Sequence, residues 1–318
     1  MLSSRIEGTQ ATLGELLAAE AGAAVERSPD DLREVGNYVV ALEHGLKRLP
    51  KLPLSLRLVR ELHATLMKGV RGDSATPGEF RTSQNWIGRP GSTLANATYV
   101  PPPADRLMEC LDPWETFLHD RSLPPLVHAA LAHAQFEAIH PFLDGNGRVG
   151  RLLITLLLVE RAVLPTPLLY LSAFFEATRR EYYARLLAVT QEGAWEEWLD
   201  YFLRGVAEQA EDALIRIQRI DELLVRWRER LAGTTSRLPE RALDLFVGNP
   251  FWSVGKLAER TGVAFTTAQR AIDRLEAEGI VALANDAKRN RVYCARAILT
   301  ILEEPSRVGT SRGRGATP

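Results

Sequence analysis

The chain has 318 residues, of which 46% are hydrophobic and 25% charged, the mixture of an ordinary soluble globular protein rather than a disordered or collagen-like one. Lys and Arg total 39 against 40 Asp and Glu, a net charge of −1, which excludes a dedicated nucleic-acid coat or a polybasic membrane anchor. Cys110 and Cys294 are the only cysteines and lack a C-x-x-C partner, which excludes a disulfide scaffold and a zinc ribbon and fits a reducing compartment. No apolar stretch follows Arg5, and the longest apolar run, Leu152 to Val159, is far short of the roughly 20 residues that cross a bilayer. A cytoplasmic protein without membrane contact is expected.

Apolar residues at three- and four-residue spacing predict helices over 11–25, 31–48, 55–69, 104–119, 124–139, 148–162, 178–190, 195–231 and 241–247, with prolines where they should stop. His128 and His133 have no metal-ligand spacing and read as core or surface residues, and Tyr170, Phe174, Phe175, Trp195 and Trp198 as packing. One stretch breaks the pattern: TPGEFRTSQNWIGRPGSTLANATYVPPP, residues 76–103, has the composition of a hairpin with an open turn or of a surface loop. A second break lies at Gly233. Beyond it, an apolar helix, a Thr261-Gly262-Val263 turn, a second amphipathic helix and two short β-prone pieces predict a winged helix-turn-helix. The Gly-, Ser- and Arg-rich end reads as a disordered tail. The expected layout is N-terminal helices over 1–50, a main domain over 51–205, a linker helix over 206–236, a winged helix over 237–300 and a tail over 301–318.

The chemistry concentrates in HPFLDGNGRVGR, residues 140–151. A helix ending at Ile139 delivers His140 to a turn, and a glycine-rich run then opens a second apolar helix. Gly145, Asn146 and Gly147 let successive backbone N–H groups point at one anion, where the new helix N-terminus adds partial positive charge. Arg148 and Arg151, three residues apart, can both reach that end. Asp144 is an oxygen donor suited to Mg²⁺, and His140 is the side chain here that can take a proton near neutral pH. Each feature singly could belong to a capped turn, but a polyphosphate site uses all of them. The run is not a Walker A loop, because no G-x-x-x-x-G-K-[ST] is present.

This run resembles the signature of the Fic-domain proteins, HPFxDGNGRxGR, at every fixed position. The resemblance extends over most of residues 1–205, including GEFR-x-SQNWIG, Val100-Pro-Pro-Pro103 and the Tyr182-Tyr183 helix. It implies a mainly α fold: a Fic-type helical core with a small β-hairpin flap, followed by a C-terminal winged helix. It also implies transfer of AMP from MgATP to a Tyr, Thr or Ser hydroxyl of a target protein or of the chain itself, with release of pyrophosphate. His140 would be the base and Asp144 the metal ligand. Gly145 to Arg151, with Val149 and Gly150, would hold the nucleotide phosphates, the two arginines gripping the outer ones. Tyr183 and Leu186 would flank the adenine, and Ile87, Tyr99 and Val100 would sit on a flap that pairs with the target by strand addition. The phosphorylating Doc type carries Lys where this chain has Gly147 and lacks the final arginine, so Gly147 and Arg151 favour AMP transfer.

At the N-terminus, Ser4-x-x-Glu7 reads locally as a capping box. The resemblance offers another reading, an inhibitory [S/T]-x-x-x-E-[G/N] motif matched by Ser3, Glu7 and Gly8, whose glutamate pairs with Arg151 and keeps basal transfer low. The same carboxylate near the α-phosphate could position water, making removal of AMP from modified proteins an alternative activity. A DNA-binding regulator is the alternative from another class: residues 241–296 hold nine Lys and Arg against six Asp and Glu, with Arg270 and Arg274 on the recognition helix and Lys288, Arg289 and Arg291 on the wing. That surplus is mild, and a protein partner or a homodimer fits it equally well.

Overall fold

A computed structural model describes residues 3, 6–9, 11–70, 76–89, 91–233, 236–285 and 291–305. They group into two units, one of the described residues within 3–9 and 33–211, the other of those within 11–32 and 212–305.

The first unit is helical. Its centre is the pair α5 (Pro125–Ile139) and α6 (Asn146–Glu160). Helix α6 is buried nearly all round, from Val149 through Leu158, because Leu152, Leu153, Ile154, Leu156 and Leu157 leave it no polar face. Around the pair lie the unit's part of α2 (Pro29–Arg48), α3 (Leu56–Leu66), α4 (Leu107–Leu118), α7 (Leu171–Ala177), α8 (Arg179–Glu192) and the first part of α9 (Trp195–Leu231). Close approach depends on two glycines: a Cβ on Gly45 of α2 would lie 2.7 Å from Leu156, and one on Gly150 would lie 2.5 Å from Glu137. Phe174, Phe175, Tyr182, Trp198, Tyr201 and Phe202 form an aromatic wall on the same core. His133 stacks among Phe175, Tyr182 and Trp198 with Nε2 bonded to the Tyr182 hydroxyl at 2.8 Å, and the His128 ring bonds the Phe117 carbonyl at 2.7 Å, so both are core histidines.

In the second unit, α10 (Leu238–Gly248), β1 (Phe251–Ser253), α11 (Val254–Thr261), α12 (Phe265–Ala277), β2 (Ala282–Leu283) and β3 (Val292–Cys294) precede α13 (Arg296–Glu303). The strands form one antiparallel sheet in the order β1-β3-β2, with Trp252 and Leu283 both opposite Tyr293. Gly262, with φ +72°, makes the left-handed turn between α11 and α12. On the exposed face of α12, Arg274 pairs with Glu278 and Gln269 bonds Asp273, so part of its charge is internally neutralised. Lys288 and Arg289 lie outside the described residues. Helix α1 (Leu13–Ala21) belongs to this unit too: Ala21 packs with Phe251, Val292 and Cys294, and the Gly14 N–H donates to Glu303 at 2.8 Å. Residues 1–50 are therefore not one N-terminal block.

Three further expectations are corrected. The tail does not start at 301, because buried Ile298 and Ile301 carry α13 to Glu303; residues 306–318 lie outside the described ones. Helix α7 was not expected, being only seven residues long and preceded by Pro165 and Pro167. Trp195 is 37% exposed, whereas Trp198 is fully buried, with its indole N–H on the Ala130 carbonyl at 2.9 Å.

Candidate active site

The α5–α6 joint is bounded by two left-handed residues. His140 caps α5 at φ +50°, a conformation costly for any residue but glycine. Gly145, φ +77°, precedes α6; a Cβ there would sit 2.8 Å from Met67 Sδ and 3.4 Å from the His63 ring. Partners far away in sequence hold the strained turn. Buried Arg81 donates from Nε to the His140 carbonyl (3.0 Å), from a terminal nitrogen to Pro102 (2.5 Å) and from its backbone N–H to Pro141 (2.9 Å). Asn85 donates to the Phe142 carbonyl at 2.8 Å. Asn146 clamps Phe142 reciprocally, accepting from its N–H and donating to its carbonyl, both at 2.8 Å. His63, buried and stacked on Phe142 at 3.7 Å, accepts from the Gly78 N–H at Nδ1 and so donates from Nε2 to the Asp144 carbonyl at 3.0 Å. Burial pushes its pKa down to about 4, which keeps it neutral.

His140 Nδ1 lies 3.3 Å from the Glu137 carbonyl, a contact that assigns the proton to Nδ1 and leaves Nε2 as the acceptor. Burial pulls its pKa to about 4, against the Glu137 hydrogen bond and helped by Arg81, so the imidazole is neutral at pH 7 and free to accept a proton. The Asp144 side chain is 48% exposed; its Oδ1 accepts from the Gly145 N–H at 2.6 Å. Among the described residues no group of three or more His, Cys, Asp or Glu is placed to hold a metal. A single half-exposed carboxylate beside an anion site nevertheless fits Mg²⁺, which commonly takes one or two carboxylates and fills its sphere with phosphate oxygens and water.

The two arginines diverge. Arg151 is buried and donates from Nε to Ser3 Oγ (2.8 Å) and from one terminal nitrogen to the Ser3 carbonyl (2.9 Å) and to Glu7 Oε1 (2.6 Å). Burial opposes its charge, but Glu7 chiefly, with Tyr182 and Glu137, more than offsets that and raises its pKa. Arg148 is held from two sides: a terminal nitrogen donates to buried Glu34 at 2.8 Å, and Nε lies 2.8 Å from Glu7 Oε2, outside hydrogen-bond alignment. The Glu7 carboxylate occupies the space above Gly147, where a Cβ would stand 2.6 Å from it. That is the first turn of α6, where a helix N-terminus offers free N–H groups. The joint is thus an anion site with a carboxylate of the same chain in it. Ser4 lies outside the described residues, and the Glu7 carboxylate goes to the arginines.

The remaining expected contacts separate. The Val149 side chain is fully buried in the core and Gly150 backs onto Glu137, so what either offers a nucleotide is its backbone. Leu186 packs against the core, whereas Tyr183 on the same helix is 42% exposed. The expected flap hairpin is reduced to one antiparallel bridge, Ile87 opposite Tyr99, with a 3₁₀ turn at Leu94–Asn96 between. Tyr99 turns its hydroxyl back onto the Ala138 carbonyl of α5 at 2.9 Å, while Trp86 and Val100 are 43% and 45% exposed. The sequence reading missed Glu34, His63, Arg81, Asn85 and Glu137. GEFR and SQNW contain two of them, but nothing local in the sequence tells a buried clamp from a surface charge.

The Fic/DOC family model matches residues 53–158, and the Fic/DOC family N-terminal model matches residues 1–47. Proteins named protein adenylyltransferase Fic from Drosophila virilis and Drosophila grimshawi are 33% and 32% identical to this chain over 215 residues, 66% of it. The chain spans only 40% of their length. A Fic family protein from Desulfovibrio desulfuricans G20, 22% identical, has the same fold at a TM-score of 0.60 over 92% of this chain and 84% of its own. Fic-1 from C. elegans (aa134–508), 26% identical, superposes at 0.52 over 68% of this chain and 61% of its own.

Proposed function

Because the chain belongs to the Fic/DOC family, we propose that it is a protein adenylyltransferase, transferring AMP from ATP to a protein hydroxyl and held at low activity by Glu7. The observation that carries the reading is the Glu7 carboxylate seated above Gly147 and paired with Arg151: a buried site that accepts an anion, blocked by one. In the reaction the acceptor oxygen attacks the α-phosphorus, the bond to the bridging oxygen of pyrophosphate breaks, and the acceptor proton passes to His140 Nε2. The neutral imidazole with its proton on Nδ1 suits that task. Asp144 would hold Mg²⁺, which supplies charge neutralisation on the phosphates. The α6 N-terminus with Gly145 to Gly147 would cradle phosphate through backbone N–H groups, and Arg151, once free of Glu7, would take the outermost one. Arg148, fixed by Glu34, serves more as the anchor of this turn than as a mobile clamp.

Tyr183, 42% exposed, would lie along the nucleotide base, and the edge at half-buried Ile87 and exposed Val100 would meet an extended target segment. The acceptor is a Tyr, Thr or Ser of another protein or of a second copy of this chain. No helix among the described residues is long and apolar enough to cross a membrane, and the free thiols Cys110 and Cys294 fit the cytoplasm. Use of Glu7 to activate water for AMP removal is the weaker reading, since both of its oxygens face arginines. We read residues 237–300 as a winged helix; a gel shift with genomic fragments at two salt concentrations tests it for DNA contact. For the central reading, the intact mass of the Glu7→Gly chain after incubation with MgATP should rise by one AMP. Gain of a phosphate, or no gain on the chain or on any added protein, contradicts it.

A further inference from the structure

Glu137 takes no part in the reaction above, yet it is the most anomalous carboxyl of the first unit. Its side chain is 11% exposed, and Oε1 is buried without a hydrogen-bond partner. It is seated by the missing side chain of Gly150, whose Cβ would lie 2.5 Å from Oε1, one residue before Arg151. An orphaned buried carboxylate is costly, so its presence calls for a compensating role. The groups that face it come from four elements. His133 on its own helix is 4.0 Å away, but that nitrogen is engaged with the Tyr182 hydroxyl at 2.8 Å, and burial keeps the ring neutral. Tyr182 and Tyr183 on α8 are neutral phenols whose own ionisation Glu137 opposes. Glu7 from the N-terminal segment is a like charge, and Arg151 on α6 is the opposite charge acting on it.

We propose that Glu137 is a positioning residue for Arg151: its carboxyl over Gly150 is a buried counter-charge that sets how much of the Arg151 positive charge remains for an incoming phosphate. The proposal rests on the reading of Arg151 as a phosphate ligand. Burial and, secondarily, the charge of Glu7 push the Glu137 pKa up to about 7, against the pull of Arg151, so the group changes charge within the working range of pH. Protonated, it leaves Arg151 unopposed; ionised, it competes with the outer phosphate of the nucleotide. When Glu7 is absent, one of the influences that keep the proton on Glu137 is gone, and the transition falls at lower pH.

The test is the affinity of the full Glu7→Gly chain for MgATP by calorimetry between pH 5.5 and 8.5, with and without Glu137→Gln, the isostere of the protonated acid. In the single variant the affinity should weaken with rising pH, relative to the double variant, by on the order of tenfold, the equivalent of one pK unit of coupling. AMP, which has no outer phosphate, should show no such difference. A second measurement needs no change at position 137: ¹³C-carboxyl NMR of the Glu7→Gly chain should show the Glu137 midpoint moving up on saturation with ATP and staying put with AMP, as linkage requires. Superimposable ATP profiles, or a midpoint indifferent to ATP, would overturn the positioning role. Absence of ATP binding at every pH would overturn the phosphate reading of Arg151, and this proposal with it.

Discussion

The α5–α6 joint and the 84–100 segment lie next to each other in function but are built on opposite principles. In the joint, backbone strain at His140 is balanced by buried side chains that each make several bonds: Arg81 to three backbone positions, Asn146 to both sides of Phe142, His63 to two loops. The described residues of the 84–100 segment have one bridge, touch the joint through Asn85 and α5 through Tyr99, and expose Trp86, Leu94 and Val100. The contrast follows the chemistry each would do. Phosphoryl-group transfer needs fixed donors and a fixed base, whereas a strand-adding edge needs free backbone groups and tolerance of its partner.

Acid should separate the two regions most strongly. The 84–100 segment contains no His, Asp or Glu, whereas His63, His133 and His140 are all held neutral by burial, at about 4, 3 and 4. Their folded pKa values are depressed, so the unfolded chain binds more protons below about 6.5 and stability falls as pH drops from there toward 4. Glu137 acts in the opposite sense, since its raised pKa costs stability as pH rises through the range from its ordinary value to about 7. His128, depressed in the same sense, adds to the three, so the histidines outweigh Glu137 and stability falls on acidification, read from urea unfolding at stepped pH. A pH-independent midpoint between 6.5 and 4.5 would show that the fold does not hold these histidines neutral.

Removal of the base comes next. His140→Ala should lower AMP transfer by at least about a thousandfold with the far-UV circular dichroism unchanged. Arg81→Ala should lower stability by about 2–4 kcal/mol, because it leaves the Pro102 carbonyl without this donor and the His140 carbonyl with only the longer contact from Asn85. Its transfer rate per folded molecule should fall as well, which an exposed arginine in the 84–100 segment, Arg89, would not reproduce. At the small end, Val100→Asp should raise the KM for a protein target several-fold and leave the KM for ATP alone. Equal effects on both would mean that this edge belongs to the nucleotide site.

The same contrast explains what could be read from the sequence. Helix α9 announces itself by periodicity, α5 and α6 by long stretches of apolar helix formers, and the joint by the density of HPFLDGNGRVGR, because glycines, a helix start and paired arginines are local features. The clamps were invisible for the converse reason. Arg148 finds Glu34 across 114 residues and Arg81 finds His140 across 59, and no local spacing encodes such partners. Glu34 sits in an ordinary amphipathic helix and reads as a solvent-facing charge. For the 84–100 segment the Gly and Pro composition leaves a hairpin and a surface loop equally open, and its described residues form one antiparallel bridge, Ile87 opposite Tyr99, around a 3₁₀ turn. Placement of α1 in the second unit was equally illegible, since its apolar face fits any surface.

The central claim is that the joint is a nucleotide site held shut by Glu7. It is tested most directly by protein labelling from ATP carrying the isotope at the α-phosphate or at the γ-phosphate, with the unsubstituted chain and Glu7→Gly side by side. The account predicts α-label on protein, raised at least about tenfold in Glu7→Gly (about 1.4 kcal/mol of barrier), and γ-label at background in both. Transfer of the γ-label, or equal α-labelling by the two chains, would contradict it.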